Sequence, residues 1–438
     1  MQKQIVHIKI IYLKLVLNNF RSIKLKDMNL NKAEILSPAG DMERLIAAVD
    51  FGADAVYLAG KEFGMRTSPS NFDNETLKRA VLYAHKNGVK VYLTCNTLPR
   101  NDEIKRIPDF LSASQDAGVD AFIISDIGVM NLALKYAPNT DIHISTQAGV
   151  VNYSSASTFY EMGAKRVVLA RELSLEEIAF IRAHTPSKLE IEAFVHGSMC
   201  VSFSGRCLIS SYLTGRDANR GDCAQPCRWK YNIVEENRVG QFFPIMEADK
   251  GTYLFNSRDL CMIEHIPELI KAGVTSLKIE GRAKSAYYVA VTTNAYKHAL
   301  NDYYKMGDNW KLASWIKEEL NKISHRDYNT GFFFGNDPGQ VHENGGYIRN
   351  YEVVAVCDDY ENGFAEVSQR NRFYVGDILD VLEPFGEPFD ITVTDMYDEW
   401  KNKIDVAPHA MQKLLIPTSR PISKGALFRK KIINKREA

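Results

Sequence analysis

From Ala33 onward, short apolar runs alternate with amphipathic segments, and this period restricts the possible folds more than any other feature. The runs are EILSP (34–38), AVYLA (55–59), VKVYLT (89–94), AFIIS (121–125), IHIST (142–146), RVVLA (166–170), LEIEAFV (189–195) and SLKIE (276–280). Helical segments such as MERLIAAVDFG, NETLKRAVLYAHKNG, LEEIAFIRAH and MIEHIPELIKAG lie between them, and another runs from Ser285 to about Lys305. Gly52, Gly88, Gly118 and Gly273 stand where a left-handed helix cap is needed. Eight strands, each followed by a helix, predict a (β/α)8 TIM-type barrel. An open doubly wound sheet is the competing fold, but no G-x-G-x-x-G follows the first strand.

Barrel enzymes work at the C-terminal ends of their strands. Those ends carry Ser37, Arg66, Cys95, Asn96, Asp126, Gln147, Arg171, Glu172, His196, Glu280 and Arg282, which predicts a polar ring. Alternation puts Glu190, Glu192, Phe194 and His196 on one face of the seventh strand, and Ser276, Lys278 and Glu280 on one face of the eighth. The apolar faces should pack on helices, so the charged sets point into the barrel and must pair. Lys278 with Glu190, Glu192 or Glu280 is the expected pair. Glu190 reads as structural. Glu192, Lys278 and His196 divide between scaffold and catalysis.

Directly after the seventh strand, residues 192–229 hold four of the seven cysteines: Cys200, Cys207, Cys223 and Cys227, separated by six, fifteen and three residues. Arg206, Arg216, Arg220 and Arg228 lie among them. Thiols at this density beside cations suggest thiolates on a metal or an iron–sulfur cluster. The spacing matches neither a zinc ribbon nor a ferredoxin run, so zinc, a cluster and four free thiols all remain open. Cys261 is the reserve ligand. Cys95 and Cys357 read as packing residues. No H-E-x-x-H, G-x-S-x-G or P-loop is present.

Formal net charge is zero, so no whole-molecule field draws the chain to nucleic acid and any such binding needs a local patch. The first 32 residues carry seven Lys/Arg and one Asp around an apolar run too short to span a bilayer. They read as an over-extended start, with Met28 the natural initiator. An odd cysteine count without a cleavable signal points to the reducing cytoplasm. The expected boundaries are an extension at 1–32 outside the fold, a barrel at 33–306 with a Cys-rich insertion at 198–253, a connector at 307–344, and a small all-β barrel at 345–430. The tail from Lys424, with six Lys/Arg against one Glu, reads as solvated or as contacting phosphate.

The segment Glu192-Ala-Phe-Val-His-Gly-Ser-Met-Cys200, followed by Gly205-Arg-Cys-Leu-Ile-Ser210, resembles the signature of the collagenase-like peptidase U32 family. AEILSPAGDMERLIAAVDFGADAVYLAG and SLKIEGRAKSAYYVA are similar to it as well, and the resemblance covers roughly residues 33 to 425. GDCAQPCRW after the signature resembles the branch that hydroxylates carbon 5 of the wobble uridine of tRNA, without oxygen and in a prephenate-dependent reaction. Relatives in ubiquinone biosynthesis hold a 4Fe-4S cluster in this region, and a longer one hydroxylates ribosomal RNA.

The resemblance implies a tRNA uridine hydroxylase with a 4Fe-4S cluster on Cys200, Cys207 and Cys223, the fourth ligand being Cys227 or Cys261. Prephenate is then the co-substrate, with tRNA and a paralogous family subunit as partners and no stable membrane association. His196, Glu192 and Lys278 are the expected catalytic residues. Arg66, Arg171, Arg206, Glu280 and Arg282 would bind substrate, the arginines through its carboxylates, and Arg216, Arg220, Arg228 and Trp229 the RNA. A peptidase using His196 as base, or a cluster-bearing scaffold without catalysis, are the alternatives.

Overall fold

The computed structural model describes residues 32–65, 71–200, 202–205, 207–218, 222–229, 232–233, 243–244, 258–335 and 347–432. The extension and Met28 lie outside them. Strands β1 (Glu34–Pro38), β2 (Ala55–Ala59), β3 (Lys90–Cys95), β4 (Ala121–Ile124), β5 (Asp141–Ile144), β6 (Arg166–Val168) and β7 (Glu190–Ser198) pair in parallel, each with the next. A short β8 (Asp259–Cys261) precedes β9 (Ser276–Ile279), which pairs with both β7 and β1 and closes the eight-stranded barrel. Helices α1 (Met42–Asp50), α2 (Asn74–Lys86), α3 (Ile107–Asp116), α4 (Ile127–Tyr136), α5 (Tyr153–Glu161) and α6 (Leu175–Ala183) occupy the connections. The four glycines singled out as helix caps all take positive φ. Side chains of Asp41, Asp73, Asp126, Asn152 and Ser174 cap helix N-termini, so the polar residue after most strands starts the next helix.

The end of β7 departs from the regular barrel. Its last three residues pair antiparallel with β8, which continues in parallel to β10 (Tyr328–Asn329). Cys261 therefore ends a strand. The stretch 307–344, expected as a connector, contributes this strand. It also holds a helix, Ser314–Lys322, which packs on the long helix Ala286–Met306.

The C-terminal part is an antiparallel half-barrel, a seven-stranded sheet around its own apolar core of residues such as Val354, Phe373, Val381, Leu414 and Phe428. Its strand Leu427–Lys431 lies inside the sheet. Arg429, read from sequence as part of a basic tail, is fully buried on Glu319 and Asp380, and Lys322 binds the same two carboxylates. These ion pairs, with Asn294 Nδ2 donating to Gly386 O at 3.1 Å, join the half-barrel to the barrel's outer helices. Among the described residues no helix is long and apolar enough to cross a membrane.

Candidate active site

The barrel interior is layered by charge. At its N-terminal end the first residues of four strands converge: Glu34, Arg166, Glu190 and Ser276. Arg166 is the hub. Its guanidinium binds Glu34, Glu190 and Glu192, and Nη1 reaches Ser276 Oγ at 3.2 Å. Tyr92 donates to Glu34 at 3.0 Å, and His143 packs edge-on against the Tyr92 ring at 4.6 Å. Burial and the nearby Arg166 charge hold the His143 imidazole well below its ordinary pKa, so it is neutral. Glu190 is structural as expected, but its cation is Arg166 rather than Lys278.

Arg166 was missed in the sequence because a cation opening a strand usually points to solvent. A count of charges would have found it. Glu34, Glu190 and Glu192 all have inward parity, and Lys278 alone leaves that set short of positive charge.

One layer higher, Lys278 Nζ meets Glu192 Oε1 at 2.6 Å, both side chains being almost wholly buried. Burial raises the proton affinity of the Glu192 carboxylate, but Lys278 and Arg166 outweigh it and keep the group ionised. Burial lowers the Lys278 pKa, against the opposing pull of Glu192. The ammonium lies over the Tyr57 ring at 4.5 Å and the Phe194 ring at 5.3 Å. Glu192 accepts from Lys278, Arg166 and Ser276, so within the barrel it positions Lys278.

Above Lys278 is the mouth. Arg171 stacks on Phe194 with its guanidinium carbon 3.8 Å from the ring centroid, donates from Nη1 to Ser198 O at 2.9 Å, and lies 3.9 Å from Glu280. Tyr57 donates to Ile279 O at 3.0 Å and approaches Glu280 Oε2 at 3.4 Å. Arg282 is buried and reaches Thr94 Oγ1 at 3.2 Å. Asn96 Oδ1 accepts from Met65 N at 3.0 Å, and Gln147 N donates to Ser145 Oγ at 3.3 Å. Arg171, Glu280 and Arg282 are thus brought together at the mouth, as the strand ends predict.

Other members of the predicted ring face elsewhere. Ser37 points outward to Thr293 at 2.7 Å. Cys95 is buried, its thiol pushed up to about 12 by desolvation. Asp126 caps α4.

His196 requires the main correction. In the β7–β9 register Lys278 stands opposite Phe194, but Ile279 stands opposite His196, so one residue is bulged out. A one-residue slip moves the following side chain to the other face of the sheet. His196 therefore leaves the interior and packs against Tyr288, Tyr296 and Tyr328, with ring centroids 5.4–5.9 Å away. Burial drives its pKa down to about 3, and Nε2 has no hydrogen-bond partner. A neutral imidazole walled off from the mouth is not a general base for chemistry inside the barrel. Cys261, opposite His196, shares this outer layer beside Tyr296, and burial raises its thiol to about 11.

The Cys-rich segment is tied to the mouth at Ser204, whose N–H donates to Glu172 Oε1 at 2.9 Å. Gly205, at φ +76°, is pressed against Gln147 O, where a Cβ would come within 2.5 Å. Cys200 and Cys223 are exposed, Cys207 and Cys227 half-buried, and none is in a disulfide. In donor chemistry four thiols within one segment suit an iron–sulfur cluster. In placement, no three Cys, His, Asp or Glu side chains among the described residues are gathered as a metal-ligand set. Arg66, Arg206 and Arg220 fall outside the described residues, and Arg228 is described only in its backbone. Arg216 is exposed and pairs with Asp222 at 2.7 Å, and Trp229 is exposed.

The profile of Peptidase family U32 matches residues 40–343, and that of the U32 C-terminal domain residues 349–429. The chain belongs to peptidase family U32. Family relatives carry differing names. "tRNA hydroxylation protein P1" of Bacillus subtilis is 36% identical over 403 residues, 91% of this chain and 95% of that protein. "23S rRNA 5-hydroxycytidine C2501 synthase" of Escherichia coli is 37% identical over 403 residues, 87% of this chain and 58% of that protein. "Collagenase" of Porphyromonas gingivalis is 33% identical over 374 residues, 82% of this chain and 88% of that protein.

Proposed function

We propose that this U32 protein is an RNA-modifying enzyme that hydroxylates carbon 5 of a pyrimidine, namely the wobble uridine of tRNA, in the cytoplasm. The observation that carries this reading is near-full-length similarity to a tRNA hydroxylation protein, with a second relative that hydroxylates a ribosomal pyrimidine. The barrel supports it with a cationic mouth. Arg171 and Arg282 stand where a dicarboxylate such as prephenate could be held by charge-assisted hydrogen bonds, with Arg66 and Arg206 as further candidates from sequence. Glu280 would orient Arg171, and Lys278, held from below by Glu192, would present its charge to the mouth. Arg216, Arg220, Arg228 and Trp229 would receive the RNA, and a paralogous subunit remains a candidate partner.

The four loop cysteines, Cys200, Cys207, Cys223 and Cys227, would hold the 4Fe-4S cluster. When bound, such a cluster supplies one-electron chemistry beside the mouth. Zinc on the same thiolates is the structural rival.

The competing peptidase reading draws on the family's title and the collagenase relative. Its expected base, His196, lies behind β7, which favours the hydroxylase. The deciding experiment is nucleoside analysis of tRNA from a strain lacking this chain and its paralogues, with and without the chain restored. Loss and return of 5-hydroxyuridine derivatives is the expected result. Unchanged nucleosides, with gelatin cleavage by the purified protein, would replace the hydroxylase with the peptidase.

A further inference from the structure

One buried cation of the barrel is equipped for more than charge. Arg166 and Lys278 share Glu192, but a guanidinium stays charged, whereas a buried ammonium can release a proton and become a nucleophile. Lys278 is the upper of the two, and its surroundings suit that change. Its Nζ lies over the Tyr57 ring at 4.5 Å and near the Phe194 ring at 5.3 Å, two apolar groups that replace water around the amine. Leu36 and Ile123 belong to the same interior core as Tyr57. Burial weakens the hold of the amine on its proton, and the Arg166 charge adds to this, against Glu192. Glu192 Oε1, at 2.6 Å, is placed to accept that proton.

The groups above Lys278 form a closed circuit. Phe194 carries the Arg171 guanidinium on its ring, 3.8 Å from the centroid. Arg171 lies 3.9 Å from Glu280, Glu280 lies 3.4 Å from the Tyr57 hydroxyl, and the Tyr57 ring returns to Lys278. A guanidinium matches a carboxylate, and an amine nucleophile matches a ketone. A small molecule that satisfies both is an oxo acid.

We infer that Lys278 is a catalytic nucleophile that forms a Schiff base with the ketone of an oxo acid whose carboxylate Arg171 holds. This assignment rests on the proposed carboxylate-binding mouth and adds a covalent step to it. Glu192 takes one proton from the ammonium, and the free amine adds to the carbonyl carbon. The C–O bond then breaks and the oxygen leaves as water. Its two protons are one from the nitrogen and the one lent to Glu192, with the Tyr57 hydroxyl as relay. An ammonium and a ketone thereby become an iminium and water, with charge conserved and no change of oxidation state.

The test is reductive trapping in the full-length protein. Prephenate and phenylpyruvate are each supplied with sodium borohydride, and the digested protein is mapped by mass. One reduced adduct on the peptide that holds Lys278 is expected, and none from phenylpropionate, which lacks the ketone. Lys278→Arg keeps a cation beside Glu192 and should lose both the adduct and RNA hydroxylation. If that variant does not fold, trapping in the wild type decides alone. No adduct at Lys278 with either oxo acid, or labelling spread evenly over surface lysines, would overturn the inference. Wild-type hydroxylation by Lys278→Arg would overturn it too and leave the hydroxylase reading standing. A Lys278 adduct in a protein that does not restore 5-hydroxyuridine derivatives to tRNA would uphold the Schiff base and remove the hydroxylase reading instead.

Discussion

Replacing His196 with Phe separates a buried structural imidazole from a catalytic one through its pH dependence. In the folded chain the imidazole sits among Tyr288, Tyr296 and Tyr328 and titrates near pH 3, because burial penalises its charged form. In the unfolded chain it titrates near 6.5. Between those values the unfolded state binds more protons, so stability is complete above about pH 6.5 and falls as pH drops towards 3. From about pH 7.5 to about pH 5 this one group withdraws roughly 2 kcal/mol from the folded state. Phe fills a similar space without titrating. The buried His143 titrates in both proteins and cancels in the comparison. Urea denaturation of both proteins at the two pH values should show the stability difference moving by about 2 kcal/mol against the wild type at the lower pH. A difference that stays constant, or a His196 resonance titrating near 6.5, would refute the buried placement and return His196 to the list of bases.

Further outcomes follow from the same geometry. Lys278→Met should cost about 3 kcal/mol, the lower end for breaking a buried pair, because Arg166 still serves Glu192; a negligible loss by denaturant melts would mean that the barrel interior is wet. Arg429→Met leaves Glu319 and Asp380 with Lys322 alone and should destabilise by about 3 kcal/mol, again the lower end for breaking a buried pair, measured as a lowered unfolding midpoint. Gly205→Ala places a methyl against Gln147 O and should impair RNA hydroxylation with every cysteine intact; unchanged turnover would show that the contact does not position the loop. Protein purified without oxygen should be brown, with iron and acid-labile sulfide near about four per chain. Ala at Cys200, Cys207, Cys223 or Cys227 should remove colour and hydroxylation together, whereas Cys357→Ala, in the half-barrel core, should spare both. Colourless protein with stoichiometric zinc would replace the redox role with a structural one.

What the sequence determined by itself is what local periodicity carries. The eight strands fell within a few residues of their expected positions because each apolar run is bounded by a cap or a glycine. The inward parity of Glu190, Glu192 and Lys278 could be read because alternation holds within an undistorted strand. So could Arg171, Glu280 and Arg282, which follow their strands onto the barrel's C-terminal face.

Tertiary structure alone decided the rest. Arg166 meets Glu34, Glu190 and Glu192 only when the sheet closes on itself, which joins residues far apart in sequence. His196 follows the same alternation on paper, yet one bulged residue between β7 and β9 turns it to the outer face. That bulge lies where β7 leaves β9 to pair with β8, a strand that arrives from beyond the Cys-rich segment. Parity is a property of one strand, but register belongs to the pair, and no single strand's sequence records where its partner slips.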